Sequence, residues 1–316
     1  MKLLRTARLM WCVPVVGFLF LLIAASPVQA QDDDFQDLLE QVGEEYARAY
    51  ASPFIEAFGP NQNSAMFQGA SIPWGQLTFG VGIKVMATHL NEDDQTFQKT
   101  VRNVDLGSID SSLSGTGTLI LNGPTVFGDP DTRGTVTLLP DAGGPPIALE
   151  GIPGLVDSRF VPLMAPEASV GGVFGLKATL RYFPELDLGD YGKTKYLGFG
   201  LQWSPNGLLV DFPVDMMVGF FDQEMNVGSL IEANAKTMFI AVSKDFNPLT
   251  VYGGFAKESA DMTVGYTYET TGERISFTAE SQQESRFTLG AKLKFLSAEM
   301  GVGKLTTYSA GAMFGF

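Results

Sequence analysis

Few side chains in this 316-residue sequence are suited to chemistry. A serine or acid–histidine hydrolase needs an imidazole beside a hydroxyl or a carboxylate, and the sequence holds a single histidine. His89 closes the alternating stretch Leu77–Leu90, just ahead of Asn91-Glu92-Asp93-Asp94. No Ser/His/acid spacing completes a relay around it. Asp129-Pro130-Asp131-Thr132-Arg133-Gly134 has the outline of a calcium loop. Arg133 takes a ligand position there, and Pro140 stands where the bidentate glutamate belongs. The acidic runs Asp32-Asp33-Asp34 and Glu92-Asp93-Asp94 have the composition of solvated tails or loop tips, with bridged calcium as their other use. No phosphate-cradling or dinucleotide-binding glycine motif occurs. No catalytic residue, cofactor site or metal site is therefore assigned, and the chain is read as a non-enzyme. What remains is a set of cations: Lys84, Lys177, Arg181, Arg286, Lys292 and Lys294. Pointing into a barrel lumen, they would attract an anionic solute such as a carboxylate. Otherwise they pair with lumenal carboxylates or sit at the rims.

Those cations need strands to present them. From Leu77 the odd positions read Leu77, Phe79, Val81, Ile83, Val85 and Ala87, while Lys84 falls among the even ones. Val170–Tyr182 repeats the pattern with Lys177, Thr179 and Arg181 on the polar side, and Phe287–Phe295 with Thr288, Gly290, Lys292 and Lys294. Shorter runs follow at Leu197–Trp203, Val214–Phe220, Met238–Val242 and Met262–Tyr268. Such strands carry one apolar and one polar face. A soluble barrel or sandwich puts the apolar face inside, whereas a transmembrane barrel turns it to lipid. Lengths of about 10–16 residues exceed the soluble norm and suit a tilted crossing. Aromatic residues gather near strand ends, at Tyr182-Phe183, Tyr266, Tyr268 and Phe295, as an interfacial girdle requires. Finally, Tyr308, Ala310, Ala312, Phe314 and Phe316 alternate to a terminal phenylalanine. That ending resembles the last strand of Gram-negative outer-membrane barrels, and implies that Tyr308, Phe314 and Phe316 form the signal read by the barrel-assembly machinery.

Composition bounds the rest. Hydrophobic residues make up 45% and charged residues 18%, the latter below the usual ~25%. A net charge of −14 leaves little basic surface for nucleic acid. Lys2, Arg5 and Arg8, the apolar stretch Met10–Ala25 and Val28-Gln29-Ala30 have the layout of a cleaved signal peptide. Its removal leaves 18 of the 21 Lys and Arg against 35 Asp and Glu, a balance of −17, and takes away the only cysteine, Cys12. No later run reaches the ~20 apolar residues of a membrane-spanning helix.

Three regions follow the leader. Residues 31–59 read as a helical segment, periplasmic or plugging the lumen, with Asp34 as N-cap and Phe35, Leu38, Leu39, Val42, Tyr46 and Tyr50 on one face. Ser52-Pro53 is expected to end it. Residues 60–316 read as the barrel, with Asn63–Ser71 and Gln76–Leu90 as a first strand pair. A Pro/Gly-rich insertion at about 91–168 is set apart by composition. It holds eight of the 17 prolines, between Pro124 and Pro166, and reads as a loop folded into the lumen or an external loop with a few edge strands, with the apolar stretch Ile147–Met164 favouring packing in the lumen or at the membrane edge. The fold class is all-β: a transmembrane antiparallel barrel of about 12–14 strands behind a short amphipathic helix.

The segments Tyr50–Gly59, Pro124-Thr125-Val126-Phe127-Gly128 and Asp211-Phe212-Pro213-Val214-Asp215 resemble an uncharacterised family of outer-membrane barrel proteins, found mainly in Bacteroidota and relatives. That resemblance implies a barrel in the outer membrane and transfers no functional residue. A helical lead ahead of a barrel is also similar in plan to the long-chain fatty-acid transporters of the outer membrane, although their plug motifs are not evident here. The expected role is binding or passing a small hydrophobic or anionic solute. The alternatives are a structural or surface-interaction protein and, behind it, an outer-membrane hydrolase. The expected partners are outer-membrane lipids, the assembly machinery and an unidentified solute.

Overall fold

A computed structural model describes residues 33–108, 114–187, 193–209, 212–228, 230–267 and 274–315. The leader read at 1–30 and the terminal Phe316 lie outside the described residues, as do the side chains of Tyr266 and Tyr268. One long helix, α1, spans Asp33–Gln62. The strands that follow are β1 (Gly75–His89), β2 (Thr96–Asp105), β3 (Thr116–Pro124), β4 (Arg133–Pro140), β5 (Ile147–Pro153), β6 (Phe160–Val173) and β7 (Leu176–Asp187). After them come β8 (Lys193–Trp203), β9 (Asp215–Val227), β10 (Ile231–Asp245), β11 (Leu249–Thr267), β12 (Arg274–Glu280), β13 (Ser285–Leu293), β14 (Leu296–Val302) and β15 (Thr306–Gly315).

Two compact units result. One holds the described residues up to Phe54 together with Leu90–Arg159, and the other holds Ile55–His89 and Phe160–Phe316. The second is a closed antiparallel barrel of ten strands, in ring order β10-β9-β8-β7-β6-β1-β15-β14-β13-β11, shut by the β10–β11 pairing. The wall uses ten strands rather than about 12–14 for two physical reasons. Strands β2–β5 belong to a separate sheet. Strand β12 pairs only with the far end of β11, Asp261–Thr267, and β13 takes over at Lys257.

The alternation read from sequence sets the two faces of the wall. On β1, Leu77, Phe79, Val81, Ile83 and Val85 are exposed, while Lys84, Met86 and Thr88 are buried. On β13, Phe287 and Leu289 are 68% and 63% exposed beside Arg286 at 2%. Apolar side chains thus point outward and polar ones inward, the reverse of a soluble barrel. Val170–Tyr182 is a hairpin and not one strand: Phe174-Gly175 turns β6 into β7. Phe287–Phe295 likewise ends in a turn, at Lys294-Phe295 between β13 and β14.

The other unit gives the insertion more order than a loop with a few edge strands, because β3 and β4 are central strands of a sheet. Strands β2-β3-β4-β5 form a four-stranded antiparallel meander with a core of its own, made of Leu106, Leu119, Leu121, Val136 and Leu138 around Tyr46 of α1. Pro124, Pro140 and Pro153 are the last residues of their strands, where a missing N–H removes no ladder bond. Pro162 and Pro166 lie in the part of β6 paired with β1 alone, because β7 joins only from Glu167.

Helix α1 also runs further than the sequence implies, past Pro53 to Gln62. A proline inside a helix costs about 3 kcal/mol, but Ile55 and Phe58 beyond it are buried, and full burial of a large aliphatic or aromatic side chain returns about 1.5–3 kcal/mol each. The boundary between the units falls between Phe54 and Ile55, next to that proline. Residues 63–74 form no strand, contrary to the expected pair with β1.

Candidate functional site

The chain from Ile55 to Trp74 lies inside the barrel, where inward side chains from all round the wall hold it. Met66, Phe67, Ala70 and Ile72 pack on Met217, Phe221, Phe239, Ala241, Tyr252 and Ala256 of β9–β11. The Phe67 ring meets Phe239 at 5.0 Å and Tyr252 edge-on at 5.7 Å. On the polar side, Gln202 donates to Met66 O at 2.8 Å and Gln223 to Gln62 O at 2.8 Å. Ala70 N donates to Ser243 Oγ at 2.8 Å, and Ala65 N to Glu299 Oε1 at 2.9 Å.

The end of α1 needs cations and its own sequence supplies none, since its last turn holds no basic residue. The final carbonyls of a helix lack intrahelical partners and carry the negative end of its dipole. Two arginines from opposite walls meet that need. Arg181 of β7 donates to Gln62 O at 3.2 Å, Ser64 O at 3.0 Å and Ala65 O at 2.7 Å. Arg286 of β13 donates to Pro60 O at 2.9 Å, to Ser64 Oγ at 2.6 Å and to Asn63 O. β7 and β13 stand five places apart in the ten-strand ring, so the segment is gripped across the full lumen. Each guanidinium also has a buried carboxylate: Arg181–Glu167 at 3.1 Å and Arg286–Glu258 at 2.8 Å.

These contacts sort the cations expected to line the lumen. Lys84, Lys177, Arg181, Arg286 and Lys292 do face inward; Lys294 does not, because it occupies the β13–β14 turn with φ of 56° and is exposed. Lys84 is buried with Glu167 and Glu299 as the carboxylates acting on it. Arg181 and Arg286 are paired, as one of the two sequence readings allowed. Lys177 and Lys292 line a polar cavity of ≈ 170 Å³ at the barrel end that bears the turns Phe174-Gly175 and Lys294-Phe295. Sequence reading missed Glu167, Glu258, Gln202 and Gln223. Position parity within their strands was the available signal, since each shares the inward parity of its neighbours.

Residues 8–316 match a family described as "Family of unknown function (DUF6588)". The chain belongs to that family. No curated protein matches the sequence. Solved structures that resemble it include OmpT, an outer membrane protein of Vibrio cholerae, at 13% identity and TM-score 0.27, covering 77% of this chain and all of that one. The Ralstonia pickettii toluene transporter TbuX matches at 9% identity and TM-score 0.27, over 83% of this chain and 98% of that one. An anion-selective porin from Comamonas acidovorans matches at 14% and 0.21, over 76% and 99%. At such scores, function has to be read from the chain's own geometry.

Other residues singled out from sequence have local roles. The His89 ring sits against Phe160 at 5.0 Å. Asp129 accepts from Asp131 N at 2.9 Å and Thr132 Oγ1 at 2.8 Å, and these bonds hold its carboxyl below the usual range. Among the described residues no three metal-donor side chains converge, and no helix is long and apolar enough to cross a membrane. Two of the segments that carry the family resemblance meet: Val126 N donates to Tyr50 O at 3.1 Å, and the Phe54 and Phe127 rings lie 6.3 Å apart. Tyr308 and Phe314 point outward on β15, and Phe314 stacks on Phe295 at 5.0 Å.

Proposed function

We propose that this protein is an outer-membrane β-barrel whose lumen is closed by its own residues 60–74, and which binds or passes a small solute. The observation that carries this is the reversal of faces. An apolar outer wall of this extent is rare on soluble monomers, and lipid is the solvent that favours it. Outward charges begin only at Lys195, Asp222, Lys236 and Lys257, which bounds the apolar zone on β8–β11. Exposed Phe174, Trp203, Phe246, Phe295 and Phe314 gather toward the opposite, short-turn end, in keeping with an aromatic girdle. Short turns mark the periplasmic end of such barrels. A hollow of ≈ 520 Å³ among Leu201, Trp203, Val218, Phe220, Met238 and Ile240 lies on the outer wall, where an acyl chain would fill it.

The test is fractionation followed by gel mobility with and without boiling. Protein in the outer-membrane fraction whose mobility changes on heating supports the reading; soluble, heat-insensitive protein overturns it. The gripped inner segment also favours a second reading, a closed barrel with a structural role. Liposome swelling separates the two. Uptake of small solutes by wild-type vesicles supports passage. Sealed vesicles, from wild type and from a variant with a loosened segment, support the structural role.

A further inference from the structure

Not every cation inside the barrel is held in an ion pair. Arg181 and Arg286 each hold a buried carboxylate, and Lys84 has Glu167 and Glu299. Lys177 and Lys292 form no ion pair or hydrogen bond among the described residues, although Glu167 also acts on Lys177 from a greater distance. They come from β7 and β13, five places apart in the ring, yet converge on one cavity over Gln68, Gly69 and Ser71 of the inner segment. Two ammonium groups brought from opposite walls to one cavity repel each other. Two carboxylates line the same cavity and keep their charge, but neither forms an ion pair with the lysines, and each accepts a hydrogen bond from its own loop. Asp215 accepts from Asn206 Nδ2 at 2.7 Å, and Asp245 from Asn247 N at 2.9 Å. Gln68 donates instead to Ser297 Oγ.

We propose that this cavity is a binding site for a small oxyanion, a carboxylate or phosphate group held between Lys177 and Lys292 with the Ser71 and Thr250 hydroxyls beside it. A volume of ≈ 170 Å³ accommodates one such group with a few waters, each needing about 30 Å³. Charge-assisted hydrogen bonds from two converging ammoniums replace mutual repulsion by attraction when the anion arrives. The proposal deepens the solute-binding reading above by naming the chemistry of the solute, and it rests on that reading.

The full-length protein, refolded in an uncharged detergent and shown to be heat-modifiable, is titrated calorimetrically with sodium phosphate and, separately, sodium acetate in chloride-matched buffer. Saturable binding of at least one of them is expected. Its affinity should fall about tenfold or more in Lys177→Gln and in Lys292→Gln, and should survive in Lys177→Arg and in the turn variant Lys294→Gln. Preference for phosphate over acetate, or the reverse, identifies which oxyanion the cavity suits. Both glutamine variants should fold, since they remove unpaired charge, and heat-modifiable mobility checks this. Wild-type protein that is heat-modifiable but binds neither anion overturns the oxyanion site while leaving the barrel reading intact. Binding unchanged in the Lys177→Gln/Lys292→Gln double variant overturns it as well.

Discussion

Removal of the Arg286 guanidinium strands several groups together: the Glu258 carboxylate, the carbonyls of Pro60 and Asn63, and the hydroxyl of Ser64. Loss of one partner from a buried ion pair leaves an uncompensated charge, at a cost of about 3–5 kcal/mol. We therefore expect Arg286→Gln to lower the urea midpoint of the refolded barrel by that equivalent. Adding Glu258→Gln should recover part of the loss, because the orphaned charge goes with it; a double variant no more stable than the single one would contradict this account. A second residue-scale prediction concerns pH. Burial raises the phenols of Tyr46 and Tyr50 above their ordinary value. Tyr46 accepts from Ile152 N at 3.2 Å, and Tyr50 donates to Pro153 O at 3.1 Å. A raised folded-state value means the neutral form is favoured in the fold, so this stabilisation is complete below pH about 10 and is lost as pH climbs through the folded values. Tyrosinate absorbance from these two should appear only above the ordinary tyrosine range, together with loss of hydrogen-exchange protection in β2–β5. Ordinary titration of both would refute it.

Between elements, legibility depended on whether neighbours in sequence were also neighbours in space. The alternation through Val170–Tyr182 reads as one strand, yet holds a hairpin. A bulge between Gly171 and Val173 shifts the parity once, and the two-residue turn shifts it back. Gly172 makes the bulge possible: its φ is 97°, and a Cβ there would lie 1.8 Å from Gln76 O. Parity alone therefore cannot reveal that turn. Pro53 misleads in the opposite sense, because local propensity marks a helix end that burial of Phe58 and its neighbours overrides. The prolines of the insertion end strands β3–β5 and do not interrupt them, and those strands build a core around Tyr46 that no local pattern announces. That core is closely fitted. At Gly151 a Cβ would fall 2.7 Å from the Tyr46 hydroxyl and 3.0 Å from the Gly134 backbone. Gly151→Ala should destabilise the four-stranded unit by about 1–3 kcal/mol, seen as faster hydrogen exchange in β4 and β5 with the barrel strands unaffected. Equal loss in both units would show that they do not unfold separately.

For the whole molecule, the prediction is about closure. With residues 60–74 gripped by Arg181 and Arg286, wild-type protein in planar bilayers should show little steady conductance. Arg181→Gln/Arg286→Gln should conduct more, in proportion to the loosening of the inner segment; unchanged conductance in a correctly folded variant would mean that other contacts close the lumen. Period-two alternation with an apolar face was determined by sequence alone, because strand geometry sends successive side chains to opposite faces whatever the partner strands are. Sequence also placed Lys84, Lys177, Arg181, Arg286 and Lys292 on the polar face. Ring closure at ten strands, the separation of β2–β5, the path of residues 60–74 through the lumen and the meeting of Lys177 with Lys292 were decided only by the tertiary structure. The reason is physical: faces follow from local backbone geometry, whereas which walls stand opposite each other depends on strand number and register, set by pairing between residues far apart in the chain.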